Sequence, residues 1–158
     1  DIATHMVDYA SHKADSVTDA DGAHGLKIET GTFTPYITGS SGAGTFAPTY
    51  TMQGGRYHKI NERVFFDIDI QFSGYTGTFS GAFRIAGLPF PLTYQSSAGI
   101  TILENYIFDA SAKFLALTII GTTIVVNQIR DNNIVAGTTN ANLGQIFRIR
   151  CFGEYITN

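Results

Sequence analysis

The sequence of 158 residues has no tryptophan, one cysteine and four prolines. A single thiol, Cys151, excludes an intrachain disulfide and a cysteine-rich zinc site. Charge is scarce as well: only 15% of residues are charged while 44% are hydrophobic. That balance excludes intrinsic disorder, which needs low hydrophobicity and high net charge. No apolar run is long enough to insert as a membrane-spanning helix. The net charge of -3 and a pI near 5.7 argue against a general nucleic-acid binder. The N-terminus is acidic and lacks the basic-then-apolar order of a signal peptide. No G-x-S-x-G, H-E-x-x-H or Rossmann fingerprint occurs.

What is abundant points to β structure. There are 17 Gly, 12 Phe and 8 Tyr, with many Ile, Val and Thr, residues that suit pleated, half-buried surfaces. The length fits one domain with a sizeable core. Residues 1–29 stand apart. They carry the acids Asp1, Asp8, Asp15, Asp19, Asp21 and Glu29 against Lys13 and Lys27, with His5, His12 and His24. Ile2, Met6 and Tyr9 recur at helical spacing, which predicts a short amphipathic helix over Thr4 to Ser16. An isolated helix of that length is marginal and needs a surface to pack on. Thr18 to Gly25 reads as a loop.

From Thr30 the period switches to two. In Arg63 to Phe72 the residues Val64, Phe66, Ile68, Ile70 and Phe72 fall on one face, and Phe65, Asp67, Asp69 and Gln71 on the other. Shorter strands are predicted at Phe33 to Thr38, Phe46 to Met52 and Gly55 to Asn61. Others follow at Thr76 to Ala86, Ile102 to Phe108, Phe114 to Ile120, Thr122 to Ile129 and Gln145 to Thr157. Gly121 marks a hairpin turn. Many short strands with polar turns predict an all-β domain over 30–158, a jelly-roll-like β-sandwich preceded by the short helix.

Chemical signals are weak, and each has a plain rival. The glycine-rich run Gly39 to Gly44 lacks the lysine and helix of a phosphate loop and reads as a hairpin loop. Asp67 and Asp69 share a spacing with Arg148 and Arg150, which predicts a cross-strand ladder of opposite charges; an anion site at the arginines is the rival. Arg148, Arg150 and Glu154 emerge beside Ile146, Phe152 and Ile156, a mixed face that would suit an oligomer interface. Arg56, Tyr57, His58, Lys59 and Arg63 form the one dense basic patch. Such a patch can hold a nucleotide by stacking and phosphate pairing, or simply be a solvated hairpin end. His5, Asp8 and His12 are spaced too widely for a good metal site, so no metal is expected.

The run Tyr50-Thr51-Met52-Gln53-Gly54-Gly55-Arg56-Tyr57-His58-Lys59-Ile60-Asn61-Glu62-Arg63-Val64-Phe65-Phe66-Asp67-Ile68-Asp69-Ile70 leads on to Gly74, Gly77 and Gly87-Leu88-Pro89-Phe90. With the upstream Gly31-Thr32-Phe33-Thr34-Pro35-Tyr36-Ile37-Thr38-Gly39, it resembles the C-terminal module of phage tail spikes and tail fibres. The opening Asp1-Ile2-Ala3-Thr4-His5 and the helix after it resemble the autochaperone domain of the neck-appendage (tail spike) protein of phi29-like Bacillus podophages. The resemblance covers about the middle third of the chain plus these first residues.

That resemblance implies an intramolecular chaperone that drives homotrimerisation of its spike in the host cytoplasm during virion assembly. Its partners are two further copies and the N-terminal remainder of the same polypeptide. It also implies a single-turnover self-cleavage at a Ser–Asp bond just before Asp1, with ATP promoting release. Asp1 would supply the leaving amine, and His5 and Asp8 are the candidates for proton transfer. ATP would fall to Arg56, Tyr57, Lys59 and Arg63, then to Arg148 and Arg150. Two other classes stay open. One is a glycan-binding fibre tip with Tyr75, Tyr94 or Tyr106 as aromatic platforms; the other is a plain structural knob. A glycan-cutting enzyme is least favoured, because no acid pair stands apart from the charge ladder.

Overall fold

The computed structural model describes residues 27–130 and 135–158. The predicted helix, with Asp1, His5 and Asp8, lies outside the described residues. Ten strands follow in chain order: β1 Ile28–Phe33, β2 Tyr36–Gly39, β3 Ala47–Ile60, β4 Arg63–Thr76 and β5 Phe83–Ala86. Then come β6 Ser96–Tyr106, β7 Ala112–Ile120, β8 Thr123–Arg130, β9 Val135–Gly137 and β10 Leu143–Ile156, with a short 3-10 turn at Asn140–Asn142. Among the described residues there is no α-helix, so the all-β class holds.

The strands do not divide into two separate sheets, as a jelly-roll sandwich would require. They form one antiparallel sheet in the order β1-β3-β4-β10-β6-β7-β8-β5-β2, with β9 paired to β8. The sheet curls over its own inner face. Phe83 of β5 meets Phe147 of β10 edge-on, at 6.0 Å between centroids, although three strands separate them in the sheet. The curl has a local cause. Register shifts between β3 and β4, at Pro48/Tyr50 and Tyr50/Met52, and between β10 and β6, at Arg150/Cys151, leave extra residues in β4, β3 and β6. Bulges bend a strand and raise its twist.

The two ends of the sheet order come together beside the Pro35 corner. The Ile37 N–H of β2 donates to the Tyr50 hydroxyl of β3 at 3.0 Å, and Gln53 Nε2 donates to the Pro35 carbonyl at 3.1 Å. The edge strand β2 thus has one of its outward N–H groups covered, which blunts it as a template for pairing.

Alternation decides what faces inward. Val64, Ile68, Ile70 and Phe72 of β4 and Phe147, Ile149 and Cys151 of β10 are fully buried, together with Phe83, Ile85, Ile119, Ile124 and Val126. The strand predicted over Thr76 to Ala86 is shorter than expected: only Phe83–Ala86 is strand, while Phe79 still reaches the core from the loop before it. Two predicted strands, Phe46 to Met52 and Gly55 to Asn61, merge into β3. The β7–β8 hairpin turns at Gly121 as expected, with a φ of 60° that favours glycine.

Candidate functional site

The outer face of β3, β4, β10 and β6 carries most of the charge expected to matter. Antiparallel register sets Arg56 opposite Asp67, Gly54 and Arg150 on either side of Asp69, and Arg148 between Gln71 and Glu104. Of the ladder expected between Asp67 and Asp69 and the pair Arg148 and Arg150, the Asp69–Arg148 rung is present, while Asp67 pairs with Arg56 instead. Arg148 donates Nε–H and Nη2–H to the two oxygens of Asp69, at 3.1 and 2.8 Å. This bidentate bond is the chief reason the Asp69 carboxyl is held below its usual range, against a smaller opposing effect of burial. Arg56 Nη2 lies 3.2 Å from an oxygen of Asp67, and Arg63 Nη1 lies 3.2 Å from one of Glu154.

Between the rungs is a groove of about 460 Å³. Its walls are Thr32 and Thr34, Met52 and Gln53, and the charged side chains of Arg56, Asp67, Asp69 and Arg150. Gly54 lies open to this groove: a Cβ built there meets nothing within 4 Å. The neighbouring Gly55 faces inward and serves packing instead, since the Phe33 ring occupies the place of its Cβ. Farther along the same outer surface, Ile146 and Phe152 of β10 are each about half exposed, and the Phe152 ring lies over Gly99 of β6.

The residues read as a basic patch in sequence are divided by the sheet. Arg56 and Arg63 stand on the outer face. Tyr57 and Lys59 fall on the other side of β3, in register with Phe66 and Val64. The Tyr57 hydroxyl donates to Glu29 Oε1 at 2.7 Å, a bond that raises its pKa. The Lys59 ammonium sits 4.6 Å from the centroid of the Phe90 ring. Arg56 and Arg63 are therefore assembled with Arg148 and Arg150 on one surface, apart from Tyr57 and Lys59. The glycine-rich loop after β2 is a packed turn. Its amides at Ser40, Ser41 and Thr45 donate to the carbonyls of Ala82, Ser80 and Thr78, and that of Gly42 to Gly39.

The three tyrosines weighed as platforms also differ. Tyr75 is half-buried and its hydroxyl donates to the Leu143 carbonyl at 3.2 Å. Burial pushes the Tyr106 hydroxyl pKa up. Tyr94 alone of the three is open, at 73% exposure. It borders a pocket of about 130 Å³ shared with Gln95, Ser96, Arg63 and Glu154.

One polar cluster had no signal in the sequence. Asp109 accepts from Arg130 Nη2 at 2.8 Å and Asn142 Nδ2 at 3.0 Å, while its own N–H donates to the fully buried Gln128 at 2.8 Å. Asn142, then Arg130, holds the Asp109 pKa down. The same Asn142 amide reaches the Ile107 carbonyl, so the cluster ties the β6–β7 connection to the turn before β10. Its members are 21 and 33 residues from Asp109, and no local motif marks such a set.

No protein-family model and no curated protein matches the sequence. Among solved structures, the fold is similar to the crystal structure of the Dettilon tailspike protein (gp208), with a TM-score of 0.63 and 18% identity. The match covers 83% of this chain and 24% of that one, so the chain spans about a quarter of the tailspike's length. At this identity the similarity is one of fold: the curled β-sheet described above is an architecture that a phage tailspike also contains.

Proposed function

We propose that the chain is an assembly module of a phage tail spike, an intramolecular chaperone that brings three copies of its polypeptide together. The observation that carries this reading is the fold likeness to a tailspike chain of about four times the aligned length. The half-exposed Ile146 and Phe152, on the same face as the Arg148–Asp69 and Arg63–Glu154 pairs, support a contact between copies along β10 and β6. The chemistry is economical. Long β spikes depend on non-local contacts and fold slowly. A module that trimerises first raises the effective concentration of the chains it holds. Self-cleavage before Asp1 and release promoted by ATP complete the proposal and rest on the sequence resemblance. A ligand drives release only by binding the released state more tightly than the attached one.

Sedimentation equilibrium of the purified chain, with and without ATP, tests it. A stable trimer is expected, and an ATP-dependent change supports the release step. A monomer at every practical concentration, with or without ATP, overturns the assembly reading.

A second reading has its own observation. Tyr94 offers an open ring beside the paired Arg63 and Glu154. An aromatic face flanked by hydrogen-bonding groups suits a sugar ring, as a fibre tip would need. Loss of glycan binding in Tyr94→Ala, with assembly intact, is the result that would favour it.

A further inference from the structure

The outer-face groove holds one cation, Arg150, that acts on Asp69 only through space, by its charge. Asp67 is occupied by Arg56, and both oxygens of Asp69 by Arg148. Arg150 faces Asp69 directly across the ladder, yet its guanidinium makes no side-chain hydrogen bond or ion pair among the described residues. It lines the space that Gly54 leaves open. A guanidinium is a planar fork of donors that matches a carboxylate or phosphate through two parallel bonds. The aspartates nearby repel an incoming anion weakly, because each is already neutralised by its own arginine.

The rest of the lining defines what carries the anion. Thr32 and Thr34 offer hydroxyls, and Gln53 keeps its amide oxygen free of the bond that its Nε2 makes to Pro35. Met52, 47% exposed, gives one apolar wall. Such a mixture suits a hydroxylated carbon frame better than a bare ion. We infer that this groove binds a small hydroxylated ligand bearing one carboxylate or phosphate monoester, with the anionic group on Arg150. The inference goes beyond the assembly role and stands whether or not the chain trimerises.

Calorimetric titration of the full chain tests it, with D-glucuronate and glycerol 3-phosphate as probes and glucose and glycerol as neutral counterparts. At least one acid is expected to bind about tenfold or more tightly than its neutral counterpart. Arg150→Gln should weaken that binding by about tenfold or more. Gly54→Leu, which fills the groove without touching a charge, should do the same, with thermal melts confirming that each variant folds. The two variants act independently, so loss of fold in one leaves the other decisive. Binding of glucuronate alone assigns a carboxylate ligand, and of glycerol 3-phosphate alone a phosphate one. The inference is overturned if neither acid binds up to roughly 50 mM. It is also overturned if neutral counterparts bind as well, if Arg150→Gln binds unchanged, or if only inorganic phosphate or ATP binds.

Discussion

Arg148 and Asp69, 79 residues apart in sequence, are joined on the outer face by two parallel hydrogen bonds. Both side chains are largely shielded, at 28% and 20% exposure, so this pair is better protected from solvent screening than its neighbours on the ladder. The Asp69 pKa is depressed in the folded state, which fixes the sign of its pH dependence. Its contribution is fully present above the unfolded carboxyl value and is lost as pH falls through the lower folded value. Asp69→Asn should lower the melting temperature at neutral pH by roughly 2–4 °C. The gap to the wild type should narrow as pH falls below the unfolded carboxyl value and close below the lower folded one. A gap that stays constant in melts across that range would mean that the ion pair contributes nothing specific.

The bond from the Ile37 N–H to the Tyr50 hydroxyl joins β2 to β3 across the closing edge of the sheet. Tyr50→Phe removes the acceptor and keeps the ring. We expect a loss of about 1–2 kcal/mol in urea unfolding, the usual cost of stranding one shielded donor. Faster amide exchange at Ile37 should accompany it. Unchanged exchange at that amide would show that the edge closes without the hydroxyl.

Phe147 is fully buried, stacked on Phe72 at 5.3 Å and edge-on to Phe83 at 6.0 Å. It packs both against the neighbouring strand and across the curl. Phe147→Ala should cost about 3–5 kcal/mol in chemical denaturation, and Phe147→Leu distinctly less. Equal costs for the two would place the energy in the aromatic contacts rather than in filled volume.

Burial, aided by Asp67, pushes the Cys151 thiol up to about 12. At pH 8 it should therefore be protonated and out of reach of a thiol reagent. A disulfide-exchange dye is expected to label none of it in the native state and one equivalent in denaturant. Rapid native labelling would show that β10 opens readily.

The strands that were legible in sequence are those whose two faces differ most. In Arg63–Thr76 every second residue from Val64 to Phe72 is buried, and the alternation states this directly. β3 was less legible because Gly54 and Gly55 look like a break. In the sheet they are continuous ladder positions, one leaving room for a ring and the other lying open to a groove. The charge ladder could be read from spacing, but not who grips whom. Register sets Arg150 opposite Asp69, while the longer diagonal reach of Arg148 takes both oxygens. The basic run is divided for the same reason that β4 was clear. Alternation sends Arg56 and Tyr57 to opposite faces, so neighbours in sequence part in space. The groove had no sequence signal, because its lining comes from β1, β3, β4 and β10, four strands that meet only in the fold.

The central position of β10 has a consequence for synthesis. This strand lies between β4 and β6 and, among the described residues, is the one strand whose ladders join the β1-β3-β4 part of the sheet to the β6-β7-β8 part. A nascent chain emerging from the ribosome can form the β3–β4 and β7–β8 hairpins early, yet the β4–β10–β6 ladders between them form only once residues 143–156 are out. The continuous sheet is therefore completed only after translation has passed that point, and a chain stalled before it has just the contacts beside Pro35 to hold its two hairpins together.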